Sequence, residues 1–374
     1  MMELEVTRKL NAEKSERTDE RTGFRSGYRE ATFDTRLGEM KLQVPKVRNG
    51  GYVPFFKVRR QRSEEALITV IQDIYISGVS TRKISRLVEK LGIGNISAAE
   101  VSEMVKRLDE QVNAFRTRRL DQHSYPILWV DALYEDVRID GSVVSTAVEV
   151  VCGVNEEGHR EVLAIEPMAE ESKESYLSLF RDLKERGLKT PKLVISDAHA
   201  GLHAAIKEGF AGASWQRCKV HFMRNILAHI PEKSKEAVAA DVKRIWLEPS
   251  ADQAREYAQR VIAKYEKRFA EAMRCLEDGL EDSLSFYAFP SIDQKKIASS
   301  NMIERLNEEI HRRTRIVGIF PNKNAYIRLV TCNMMEYADD WSTGHAYIQP
   351  EALKPLLQPS EKASEGTVTE LHSA

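Results

Sequence analysis

Two short apolar runs, each closed by an aspartate, constrain this chain more than any other feature. Pro126 opens the run Ile127-Leu128-Trp129-Val130, which ends in Asp131; a second run, Leu193-Val194-Ile195, ends in Ser196-Asp197 and is followed by Ala198-His199-Ala200-Gly201. Unbroken apolar runs of this length, bounded by proline or by small residues, read as buried strands. Both acids then stand at strand ends, where a sheet edge meets solvent, a position that suits a divalent cation better than a core.

The periodicity around these runs describes a mixed α/β fold. Ser142 to Val154 and Glu161 to Ile165 read as further strands, with Gly141 and Asn155 to Gly158 as turns, so that three strands form an antiparallel meander. A helix is expected from Ser172 to Arg186 with Tyr176, Leu179, Phe180 and Leu183 inward, another from about Gly201 to Glu208, and a short strand from Ser214 to Val220. After His221 the strand signal stops. Phe222 to Ile230, Ser234 to Trp246, Ser250 to Met273 and Leu276 to Phe286 all carry helical period, and a final helix runs from about Ile297 to Thr314. The elements thus fall into a mixed α/β part at 123–221, an all-helical stretch at 222–294 and a last part at 295–345, with a disordered tail expected at 346–374.

The net charge of -1 is the sum of 56 basic and 57 acidic side chains, so only their distribution is informative. From Arg21 to Arg62 there are 11 Lys or Arg against 3 acids, and from Lys295 to Arg328 there are 8 against 3. The first zone interleaves arginines with aromatics and glycines, Arg21, Phe24, Arg25, Tyr28 and Arg29, a pattern in which guanidiniums hold phosphates while rings stack on sugars or bases. A floppy basic arm over 1–62, with Thr35 to Val44 as a short strand pair, accounts for it equally well. Next, 63–122 reads as three helices: Ala66, Leu67, Val70, Ile71, Ile74 and Tyr75 on one face up to Gly78, then Ile84, Leu87, Val88 and Leu91, then a turn at Gly92 and Gly94. The third helix opens on the capping-box pattern Ser97-Ala98-Ala99-Glu100, with Val101, Met104, Val105 and Leu108 inward. Any small three-helix bundle fits, but the neighbouring basic stretch and the cluster Arg82, Lys83, Arg86 favour a helix-turn-helix that binds DNA.

Cys152, Cys218, Cys275 and Cys332 are scattered, and neither a signal peptide nor a membrane-spanning apolar run is present, so a reducing cytoplasm is the expected location. Cys218 and His221 form a Cys-x-x-His pair, which is half a zinc set; no second pair has finger spacing, and packing or hydrogen bonding near Asp197 is the favoured role. Trp246 reads as a core tryptophan rather than a wedge into distorted DNA.

Glu304, in Asn301-Met302-Ile303-Glu304-Arg305-Leu306-Asn307, completes a set of three acids with Asp131 and Asp197. Such a set could hold two divalent ions roughly 3.5–4 Å apart, as phosphoryl transfer requires. Together, Trp-Val-Asp131-Ala, Ser-Asp197-Ala-His-Ala-Gly-Leu, Trp-Gln-Arg-Cys218-Lys-Val-His221-Phe-Met-Arg-Asn and the Glu304 segment resemble the bacterial insertion-sequence transposases of the Mutator type, from roughly Glu16 to the Trp341 region. The resemblance implies an Asp-Asp-Glu triad on a ribonuclease H-like catalytic core, 123–221 and 295–345, interrupted by an all-helical insertion at 222–294, with Asp131, Asp197 and Glu304 as catalytic ligands of two Mg²⁺ ions, or Mn²⁺ in their place. It implies cleavage at the ends of a mobile element to free 3′-hydroxyls and their transfer to target DNA, by a homodimer holding two double-stranded ends and without any membrane. Arg305, Arg312, Arg313 and Arg315 are then expected on DNA phosphates, and Cys218, His221, Asn301 and Asn307 in a structural motif beside the site. The alternatives are a non-catalytic DNA-binding repressor, consistent with an N-terminus that starts close to Glu-Lys-Ser-Glu-Arg-Thr, and a metal-dependent nuclease that does not join ends.

Overall fold

A computed structural model describes residues 2–16, 18, 20–35, 38–48, 52, 60–90, 97–168 and 170–358. The chain divides into one unit of Met1–Val112 with Arg313–Gly318 and another of Asn113–Arg312 with Ile319–Ala374.

In the first unit the described part of the basic stretch is folded where an arm was expected. Helix α1 (Met2–Leu10) and an antiparallel hairpin of β1 (Phe24–Thr35) and β2 (Gly38–Arg48) share a small core of Val6, Leu10, Val44 and Tyr52. The apolar residues of α1 are few, and side-chain bonds supplement them. Arg25 donates to the Ala12 carbonyl (3.1 Å) and to Thr7 Oγ1 (2.7 Å), and Tyr52 Oη donates to Glu5. The strand pair begins at Phe24, well before Thr35, because its alternation runs through arginines that sequence reading assigned to solvent.

Three helices follow in this unit: α2 (Arg60–Ile76), α3 (Thr81–Lys90) and α4 (Ala98–Val105). Ile68, Ile71 and Tyr75 are buried on α2, and Ile84 and Val88 on α3, whereas Val70 and Leu87 are exposed, so each apolar stripe is narrower than expected. The capping box forms: Ser97 accepts from the Glu100 amide and Glu100 from the Ser97 amide. The third helix ends at Val105 rather than reaching Leu108, which instead opens α5 (Leu108–Arg116). Leu91 and the Gly92 and Gly94 turn lie outside the described residues.

The second unit is built on a five-stranded mixed sheet. Strands β3 (Ile127–Ile139) and β4 (Ser142–Val154) meet at Asp140-Gly141, both with positive φ (48° and 83°), the tight turn that matches the twist of a hairpin. Strand β5 (Arg160–Met168) extends the meander, helix α6 (Lys173–Glu185) crosses over, and β6 (Leu193–Ser196) returns parallel to β3. Helix α7 (Ala200–Gly209) leads to β7 (Ser214–Arg217), giving the order β5-β4-β3-β6-β7. One sheet face, with Leu128, Val130, Val151 and Val194, is covered by Tyr176, Leu179, Phe180, Leu183, Leu202 and Ile206 of α6 and α7. Here the second and third strands of the expected meander and both helices are found within a few residues of their expected ends, whereas β3 runs on past Asp131 to Ile139; β7 stops three residues early because Cys218 begins a helix.

The helical segment comprises α8 (Lys219–Ala228), α9 (Glu232–Ile245), α10 (Ala251–Tyr265) and α11 (Ala270–Ser283), then a 3-10 turn at Ser285–Ala288 and the short α12 (Gln294–Ile297). The break expected between Met273 and Leu276 lies instead at Glu266 to Phe269, where the Phe269 ring packs on Tyr265 and no proline or glycine marks the turn. Gln216 of β7 ties the segment to the sheet, donating to the Ser283 carbonyl (2.9 Å) and accepting from the Phe286 amide (2.8 Å). Trp246 is buried and donates to Ser283 Oγ, a core role as expected. Gly279 is required by close approach: a Cβ there would stand 2.8 Å from the Phe222 ring.

The helix expected to close the fold, α13 (Asn301–Thr314), is followed by two more, α14 (Lys323–Thr343) and α15 (Pro350–Leu357). α14 covers the other face of β3 and β5, and Tyr326 Oη donates to the Leu133 carbonyl at 3.0 Å. The tail expected to be disordered from 346 therefore contains a helix; 359–374 lie outside the described residues.

Candidate active site

Asp131 is not at a strand end. It sits within β3, whose antiparallel pairing with β4 continues to Ile139, so the proline-to-aspartate run is only the first third of a long strand. The parallel neighbour β6, however, pairs with β3 only through Ile127↔Leu193, Leu128↔Val194 and Trp129↔Ile195. Carrying that register two residues further sets Asp131 beside Asp197, the residue that follows β6. Adjacent parallel strands in register present matching residues to the same face, so two apolar runs deliver two carboxylates side by side.

Glu304 comes from α13, which is fastened to the sheet along one flank. Asn307 Nδ2 donates to Asp131 Oδ2 at 3.0 Å, and His311 Nδ1 lies 2.6 Å from Glu135 Oε1. Glu304 Oε1 faces His221 Nε2 at 3.3 Å and Arg224 Nη1 at 3.6 Å. At the start of the helix, Cys218 Sγ accepts from the Ser300 amide (3.3 Å) and hydroxyl (3.1 Å), while the Cys218 amide donates to the Ser196 carbonyl (2.7 Å). One buried cysteine thus joins the end of β6, the start of α8 and the approach to α13.

The electrostatics are those of crowded acids. Burial, reinforced by the charges of Asp197 and Glu304 and opposed by His221, raises Asp131 to about 7. Burial raises the Cys218 thiol, but hydrogen bonds involving His221 and Ser300 outweigh it and leave the thiol below its usual value. The thiol in turn holds His221 up, to about 9, against the effect of burial. His221 Nδ1 makes no hydrogen bond of regular geometry.

The donor set fits hard divalent cations. Asn307 Oδ1 is buried without a hydrogen-bond partner, Glu304 Oε1 has only its ion-pair contacts with His221 and Arg224, and carboxylates that repel one another at Asp131 gain from a cation that offsets their charge. Among the described residues, the three-residue set with all ligand atoms within 4.8 Å is Cys218, His221 and Glu304, not the three acids. In that set Cys218 Sγ accepts from the Ser300 amide and hydroxyl, and His221 Nε2 faces Glu304 Oε1.

The other expected DNA-facing residues separate into two groups. Arg82, Lys83 and Arg86 are exposed on α3, opposite Ile84 and Val88, and Arg29, Arg305 and Arg315 are also exposed. Arg21 is half-buried and bonds the Gly23 and Glu16 carbonyls, Arg25 is tied to α1, and Arg312 is paired with Glu309 on its own helix. Arg313 is half-buried, and Asn301 is exposed at the start of α13. Sequence reading missed Glu149, which is 1% exposed on β4, has an unpartnered Oε2 and is raised well above its usual pKa by burial and by Asp131 and Asp197. Its signal is a lone acid in the run Val148-Glu149-Val150-Val151.

A family model described as "Transposase, Mutator family" matches residues 1–344, beginning earlier than the Glu16 boundary read from the motifs. The chain is 39% identical over 343 residues to the transposase for insertion sequence element IS256 in transposon Tn4001 of Staphylococcus aureus, covering 91% of this chain and 88% of the relative. It is 42% identical over 339 residues to the transposase for insertion sequence element IS1081 of Mycobacterium tuberculosis (90% and 82%), and 39% identical over 354 residues to that for ISRM5 of Rhizobium meliloti (95% and 89%).

Proposed function

The chain belongs to the Mutator family of transposases, and from that premise we propose that it cuts the ends of a mobile DNA element and joins the freed 3′-hydroxyls to target DNA, using Asp131, Asp197 and Glu304. The observation that carries this reading is the convergence of the two aspartates by strand register with a helix pinned to Asp131 through Asn307. A mixed sheet with one acid on its central strand and the next after a parallel neighbour also supports a ribonuclease H-like core.

When bound, two Mg²⁺ ions supply charge stabilisation and an activated oxygen for in-line displacement at phosphorus. The three carboxylates would hold them. Asn307 orients Asp131, and His221 with Arg224 positions Glu304 while keeping positive charge beside the scissile phosphate. Attack by water and then by a 3′-hydroxyl requires no covalent bond to the protein. The helices α2 to α4, with Arg82, Lys83 and Arg86 outward, are the proposed helix-turn-helix that recognises the ends, and two chains synapse them as a dimer.

Incubation of the purified chain with Mg²⁺, labelled element ends and a target plasmid tests this. Joined products are expected. Cleavage without joining would indicate a nuclease, and binding without cleavage a repressor.

A further inference from the structure

Asp197 stands just past a strand of four residues, so the sheet ladder does not fix the direction of its side chain. A local bond does. Asp197 Oδ1 accepts from the His199 amide at 3.2 Å, an Asx turn that orients the carboxylate. His199 is itself held at three further points. Its Nδ1 accepts from the Leu202 amide (3.4 Å), capping α7, so the ring proton is carried on Nε2. Nε2 faces Glu171 Oε2 at 3.6 Å, and the Tyr176 ring of α6 lies 5.7 Å from the imidazole, centre to centre. Gly201 makes room for this arrangement: a Cβ there would stand 3.0 Å from the Lys173 amide nitrogen and 3.2 Å from the His199 ring.

Glu171, in the link between β5 and α6, is anchored at its other oxygen, where Oε1 accepts from Tyr134 Oη. Tyr134 is three residues beyond Asp131 on β3 and, by alternation with Leu128 and Val130, belongs to the face that α6 and α7 cover. A path of side chains therefore runs from β3 through Tyr134, Glu171 and His199 to Asp197, tying the strand of the first aspartate to the second aspartate. Burial raises the Glu171 carboxyl above its usual value; His199 opposes the rise and the charge of Asp197 adds to it, which puts the two acids within electrostatic reach. A glutamine of the same shape would avoid that repulsion, but it offers one acceptor oxygen where two donors, Tyr134 and His199, converge.

Resting on the reading of Asp197 as a metal ligand, we propose that Glu171 and His199 are positioning residues for the reaction. Glu171 holds the imidazole in place, and the His199 amide in turn holds the Asp197 carboxylate in the direction that receives the cation. Asp131 has its orienting partner in Asn307 of α13; Asp197 has its own in this clamp, built from residues outside the three acids.

The test titrates Mn²⁺ into the full, metal-free chain and follows the free ion by electron paramagnetic resonance. Glu171→Gln is expected to weaken Mn²⁺ binding by about ten- to a hundred-fold, the usual effect of losing an orienting partner. His199→Asn, whose side chain still caps α7 but is too short to meet Glu171, should weaken it likewise. Lys173→Ala breaks a different tie between α6 and α7, the ion pair with Glu208 (2.7 Å), and should leave the affinity unchanged; circular dichroism checks that each variant is folded. With Asp197→Asn as the reference, unchanged Mn²⁺ affinity in Glu171→Gln or His199→Asn where Asp197→Asn loses it overturns the proposal alone, even if DNA ends are cut normally. An equal loss in Lys173→Ala also overturns it, since general loosening would then account for the effect. Unchanged affinity in Asp197→Asn itself sinks the metal-ligand reading and the clamp with it. Loss in all but Lys173→Ala, in a chain that cuts no DNA, would leave the clamp assigned and count against the catalytic reading instead.

Discussion

Asn307 Nδ2 donates to Asp131 Oδ2 at 3.0 Å, joining two residues that lie 176 positions apart in the chain. This bond fixes α13, and with it Glu304, against the strand that carries the first aspartate. Asn307 is buried and its Oδ1 has no hydrogen-bond partner, so the side chain has an acceptor left over on the acid site. Asn307→Ala is therefore expected to lower strand transfer by about ten- to a hundred-fold, the usual effect of losing an orienting partner of a metal ligand, while end binding is unchanged. Metal titration of cleavage checks it: the apparent Mg²⁺ requirement should rise.

Stability should depend on pH through the same cluster. Asp131 in the folded chain titrates at about 7, against about 3.9 in an unfolded one. The folded state therefore binds the proton more tightly between these values, and stability falls as pH rises through that window. His221, raised to about 9, contributes stability that is fully present below about 6.5 and is lost as pH climbs through 9. Both effects have the same sign. The melting temperature of metal-free protein should fall from pH 5 to pH 8.5, Asp131→Asn should flatten the part below 7, and Mg²⁺ should raise it more at pH 8 than at pH 5. Thermal melts across pH with and without Mg²⁺ measure all three; a curve rising with pH would contradict the assignment.

The Cys218 cluster predicts a loss of stability rather than of metal. Cys218→Ala leaves the Ser300 hydroxyl and amide without their acceptor in a buried place, which costs about 1–3 kcal/mol. Denaturant melts should show that drop, and elemental analysis should find no stoichiometric zinc in wild type or variant.

How much of the fold is legible in the sequence depends on burial. The strand Ser142–Val154 shows a clean signal because a valine-rich run buried on both sides is bounded by turns, and the helix Lys173–Glu185 because one face of it meets the core. Helix α14 leaves no period, since Ala325 through Met334 are buried on every side and a helix enclosed all round has no polar stripe to reveal it. The acids are readable as residues, but Asp131 reads as a strand end because nothing in the sequence says that β6 is short and β3 long. Glu149 is inconspicuous since its cost emerges only once β4 is seen between two covered faces. Arg25 points to DNA by charge alone, yet its bonds to Thr7 and Ala12 hold α1 on the hairpin.

That last difference gives a prediction of its own. Arg25→Ala should lower the stability of the first unit, whereas replacing Arg82, Lys83 and Arg86 by Ala should leave stability within about 0.5 kcal/mol, as surface changes do. The triple change should instead weaken binding to DNA and flatten its salt dependence by about 0.9 in log-log slope for each phosphate no longer neutralised. Paired melting and salt-titration experiments separate the two; a triple variant with unchanged slope would move DNA binding away from α3.

The central claim is that three acids, two of them set side by side by strand register, carry the chemistry. Asp131→Asn, Asp197→Asn and Glu304→Gln each remove one metal-binding charge at nearly constant shape. The direct measurement is strand transfer of labelled element ends by each variant, with end binding followed in the same samples. The expected result is loss of cleavage and joining in all three with binding intact; near-normal joining by any one of them would contradict the account and move that ligand elsewhere.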